Sequence, residues 1–171
     1  MTLVDPTRIM ARAAVVLNEL QRSETWRAAL DKASVASSPL LVRSLAPEVE
    51  ARPGMPPRLR DYYIVSILRG NGLSARFAQE ADTADLLEAE GVSKAGAVLK
   101  PYVDALPVVR SRWPLPPGVP DPLTAADVVW KPCRQSTSRF LPFWRFQIEG
   151  QAVYVRADGV LYTELTTTGR G

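Results

Sequence analysis

The sequence predicts an α+β fold: a helical N-terminal part of about four to five helices, packed on or linked to a C-terminal three-stranded antiparallel meander. Three observations predict it. Residues 143–165 form three strand-like runs separated by the dipeptides Gly150-Gln151 and Asp158-Gly159, both hairpin-turn signals. The first hundred residues repeat apolar side chains at helical spacing behind capping residues. Between these parts lie six prolines in residues 107–122, a stiff extended connector. The expected organisation is a helical region 1–106, a connector 107–123, a short helix plus meander 124–165, and a flexible tail 166–171.

Asp5-Pro6 reads as a helix start, with Asp as N-cap and Pro at the first helical position. Ile9, Ala13, Val16, Leu17 and Leu20 make its apolar stripe. Ser23 caps a second piece carrying Trp26 and Leu30. Pro56-Pro57 opens a helix over 58–69, which Gly70-Asn71-Gly72 stops. A short helix over 74–81 follows, then one over 83–90 capped by Asp82 and ended by Gly91. Ser93 caps a piece over 94–105, weakened by Gly96 and Pro101. Thr124 caps a short helix over 125–130, and 131–142 is loop.

The composition narrows the chemistry. The 171 residues contain no histidine and one cysteine, Cys133. Ser-His-Asp and Cys-His nucleophile systems, histidine metal sites and the common zinc sites are therefore excluded. No catalytic residue, metal ligand or cofactor site is assigned. The lone cysteine fits a reducing, cytoplasmic compartment. No run of about 18 apolar residues and no N-terminal signal pattern predicts a membrane span or export. The net charge of +3 is modest, but arginine dominates it. Arginine suits bidentate contacts to carboxylate or phosphate.

Two-residue loops fix register. With Gly150-Gln151 as the tip, Arg145 faces Arg156, and Trp144, Phe146, Ile148, Val153 and Val155 gather on a core face. With Asp158-Gly159 as the second tip, Val160 and Tyr162 join that core face. The apolar face needs a cover, expected from the N-terminal helices. The other face offers a candidate anion or partner site: Arg145 and Arg156 beside Tyr154, extended by Arg139 and Arg134. Arg58, Arg60, Arg69 and Arg76 form a secondary basic surface.

The functional expectation is a non-catalytic protein-binding, assembly or adaptor protein that meets an acidic partner through this Arg/Tyr sheet face. A homodimer through a sheet edge is one version. The alternative is a nucleic-acid binder, using the basic face or a weak helix-turn-helix over 82–105. A histidine-free enzyme built on carboxylate, Arg and Tyr chemistry is the third reading.

Overall fold

The structure, a computed structural model, describes residues 3–45, 60–92, 102–115 and 127–166. Strands dominate it. In chain order the elements are α1 (Pro6–Arg22), α2 (Glu24–Leu30), β1 (Ser34–Val35), β2 (Leu40–Ser44), β3 (Tyr62–Arg69), β4 (Gly72–Glu80) and β5 (Leu86–Gly91). Then come α3 (Tyr102–Arg112), β6 (Asp127–Trp130), β7 (Phe143–Ile148), β8 (Gln151–Arg156) and β9 (Leu161–Tyr162). Hydrogen-bonded neighbours run β5-β4-β3-β2-β6-β7-β8-β9, with β1 also on β3. Among the described residues, all pairings are antiparallel except β2 with β6.

The predicted fold class is therefore corrected. Among the described residues, three helices and a nine-stranded mixed sheet replace four to five helices and a three-stranded meander. The helices expected over 58–69, 74–81 and 83–90 are strands β3, β4 and β5. The physical reason lies in Tyr62-Tyr63-Ile64-Val65-Ser66-Ile67-Leu68, a run in which five of seven residues are aromatic or β-branched. Such side chains lose rotamer freedom in a helix and pack well on a pleated surface. Gly70-Asn71 is not a helix stop but a two-residue hairpin loop, which pairs Arg69 with Gly72. β6 replaces the helix expected over 125–130 for the same reason, since Val128, Val129 and Trp130 favour a strand.

The chain divides into two compact units, Met1–Val42 with Arg60–Gly96, and Arg43–Leu59 with Ala97–Gly171. In the first, α1 starts as its sequence predicts: Asp5 Oδ1 accepts from the Thr7 amide at 2.7 Å, and Pro6 follows. Its stripe of Ile9, Ala13, Val16 and Leu17 is buried against Tyr63, Val65, Ile67, Ala75 and Phe77 of β3 and β4. Gln79, wholly buried on β4, reaches this helix when its amide donates to the Ile9 carbonyl at 3.1 Å. α2 is separate from α1 and too short to persist alone. Its last carbonyls are held by side chains: Arg69 bonds Ala28, Ser74 bonds Ala29, and Gln21 bonds Leu30.

In the second unit, β6, β7, β8 and β9 form an antiparallel meander. Its apolar face is covered by α3, where Ala105 and Val109 pack with Phe146 and Val155. α3 runs through Pro107, so residues 107–112 of the expected connector are helical. Pro116, Pro117, Pro120, Pro122 and most of 94–105 lie outside the described residues. No described helix is long and apolar enough to cross a membrane.

Candidate functional site

Both hairpin loops of the meander differ from expectation. The β7–β8 loop is Glu149-Gly150, with φ of 50° and 81°. Both central residues are left-handed, as a type I′ turn requires. Gln151 is thereby released into β8. The register moves by two residues, so Arg145 pairs with Tyr154 and Phe143 with Arg156. A two-residue shift leaves the faces unchanged, so Trp144, Phe146, Ile148, Val153 and Val155 remain together, as the alternation predicts. Arg145 and Arg156 share a face on the diagonal rather than sitting directly opposite each other.

The β8–β9 loop is one residue longer than predicted. The Arg156 amide donates to the Val160 carbonyl at 2.8 Å, and Gly159 at φ 92° takes the bulge position of a three-residue loop. This odd shift exchanges the faces of β9. Leu161 joins the core below α3, and Tyr162 turns to the arginine face, the reverse of the expected placing.

The result is one row across four strands: Asp127 on β6, Arg145 on β7, Tyr154 on β8 and Tyr162 on β9. Arg145 Nη2 donates to Asp127 Oδ2 at 2.6 Å, with the side chains 32% and 60% exposed. Phe143, buried on the same face, meets Tyr154 and Tyr162 edge-on at 6.3 and 6.0 Å between ring centroids. The tyrosine rings are thus braced by a same-face neighbour and half-buried.

Arg156 flanks this row and is tied into its own unit. It grips Asp158 through Nε at 2.9 Å and Nη2 at 2.7 Å, donates to the Gln135 carbonyl, and lies over the Tyr162 ring at 5.7 Å. The hydrogen bond from Arg156 holds the Asp158 carboxyl below its ordinary range, with partial burial opposing it. The same bond raises the Arg156 guanidinium above its ordinary value. Gln135 also clasps Thr166 through both amide atoms, at 3.2 and 3.1 Å. Arg134 is exposed in the Cys133–Ser136 turn and donates its amide to the Thr166 carbonyl. Arg139 stacks over Trp130 at 5.4 Å.

Of the secondary arginines, Arg60, Arg69 and Arg76 do not share a surface. Arg76 is buried in β4 and bonded to Glu90. Arg69 caps α2. Arg60 bridges Glu80 and Asp82 at 3.3 and 3.4 Å, and the length of β3, about 25 Å, separates it from Arg69. Arg58 lies outside the described residues. The segment proposed as the first helix of a helix-turn-helix is largely β5.

Sequence reasoning missed Asp127, Asp158 and Tyr162 as members of the site. Asp158, two residues after Arg156, is the available signal, because Asp-Gly supplies both a turn and a carboxylate within reach of the guanidinium. Tyr162 needed the longer loop, which Asp158-Gly159 alone does not distinguish. The assembled face can hold carboxylates through guanidinium and bury aromatic or peptide groups against tyrosine. No protein-family model, curated protein or solved structure matches this chain.

Proposed function

We propose that this is a non-catalytic protein-binding or adaptor protein whose working surface is the Asp127–Arg145–Tyr154–Tyr162 row. The carrying observation is the row itself, with an exposed ion pair and two braced tyrosines aligned across four strands. Tyrosine and arginine anchor interfaces, and rings already held in place lose little entropy on binding. The partner is a protein presenting an acidic side chain to Arg145. A guanidinium has five donors, and one carboxylate does not saturate it. A partner carboxylate can join Asp127 there while its neighbours cover the tyrosines. The nucleic-acid alternative draws less support, because Asp127 and Asp158 match the charges of Arg145 and Arg156.

The test is affinity capture on the immobilised protein, comparing wild type with Arg145→Glu and Tyr154→Ala after circular dichroism confirms both variants are folded. The reading expects a captured protein that both variants lose. A partner retained equally by all three proteins overturns it, as does salt-sensitive DNA or RNA binding in its place.

A further inference from the structure

We propose that β5 is a second docking edge, one that accepts an extended basic segment of another protein by strand addition. The proposal concerns the first unit and is independent of the tyrosine row. Three observations carry it. Among the described residues, β5 pairs with β4 alone and ends the strand order. The Val92 amide donates to the Ser74 carbonyl at 2.9 Å, which fixes the phase of the antiparallel ladder. Partners alternate along such a ladder, so Glu88 and Glu90 turn their backbone groups toward β4, and Ala89 and Gly91 turn theirs outward. That outward row is the template a guest strand uses.

The second observation is apolar. Leu86 and Leu87 are exposed at the start of this edge, where the register shifts by one residue. An added strand would cover them. The third is charge. Along β5, the turn before it and the end of β4 stand Glu80, Asp82, Asp85, Glu88 and Glu90, near Arg60 and Arg76. Glu90 remains 41% exposed although it is paired with Arg76. Glu88 and Glu90 project from one face of the strand and Ala89 from the other. The guest strand that fits therefore alternates basic with apolar residues. A second copy of this chain fits poorly, since antiparallel pairing centred on Ala89 would set Glu88 against Glu90 of the other copy.

The test uses the full chain, isotopically labelled, titrated with a capped peptide of about six residues alternating Lys and Val, a typical strand length. A Glu/Val peptide is the control. The proposal expects the Lys/Val peptide to shift the amide resonances of Ala89 and Gly91, with no shift from Glu/Val. Ala89→Pro removes an outward amide without touching the β4 ladder and should weaken binding about tenfold or more. Leu87→Lys, which leaves every amide in place, should weaken it as well and serves if the proline variant fails to fold. Shifts by both peptides alike, shifts mapping elsewhere, or no shifts overturn the proposal. So does a concentration-dependent dimer that Leu87→Lys abolishes, which would make a second copy the occupant.

Discussion

Arg76 in the first unit and Arg145 in the second are built alike: each stands mid-strand, opposite a carboxylate on the neighbouring strand, and bonded to it. Their surroundings differ. The Arg76 side chain is 10% exposed and that of Arg145 is 32% exposed. A buried guanidinium is a charge that the fold must compensate, whereas an exposed pair exchanges readily with water or another carboxylate. The same cross-strand pair is therefore a structural fixture in one unit and an available contact in the other. Residue type and spacing alone do not separate the two cases.

The greatest loss of stability should come from the first unit's core. Phe77, wholly buried beside Arg76, should cost about 4 kcal/mol when replaced by alanine, measured by urea denaturation. Next comes the pair itself. Arg76→Ala should destabilise by about 2 kcal/mol, because the strand loses a packed, nearly buried side chain and its bond to Glu90. A loss under about 0.5 kcal/mol would erase the distinction between the two arginines.

Acidification probes the ion pair beside the row. Asp158 has a folded pKa below its ordinary value of 3.8, so its contribution is fully present above that value. It fades as the pH falls through the lower, folded pKa. Stability measured across this acid range should fall less steeply in Asp158→Asn than in wild type. Parallel curves would remove the Arg156–Asp158 bond from the account.

A smaller effect sharpens the corrected register. Glu149 holds a left-handed conformation ahead of Gly150, where asparagine is better suited. Glu149→Asn should raise stability by about 0.5–1 kcal/mol. In the register expected from sequence, Glu149 would be a strand residue, and the same change would lower stability. Smallest of all, Arg145→Ala should change stability by less than about 0.5 kcal/mol, read from the same denaturation curves.

Local signals were legible where they acted locally. Asp5-Pro6 placed the start of α1, and strict alternation sorted the faces of β7 and β8. Both survive a shifted register, because capping needs only neighbours and a two-residue slip preserves face. Signals that depended on tertiary partners were not legible. Leu86-Leu87-Glu88-Ala89-Glu90 has helix-forming composition, yet β4 draws it into the sheet. β3 and β4 are buried on both faces over much of their length, which removes the alternation that marks a half-buried strand. The site was half legible for the same reason. Arg145, Tyr154 and Arg156 could be grouped from alternation, whereas Asp127 joins them only through the pairing of β6 with β7.

The most direct measurement titrates the captured partner against wild type and the Arg145→Ala/Tyr154→Ala double variant, with melting curves for both. The row as working surface predicts a loss of affinity of about 100-fold, near 3 kcal/mol, with melting temperatures within about 3 °C of each other. Equal affinity in two equally folded proteins would contradict it.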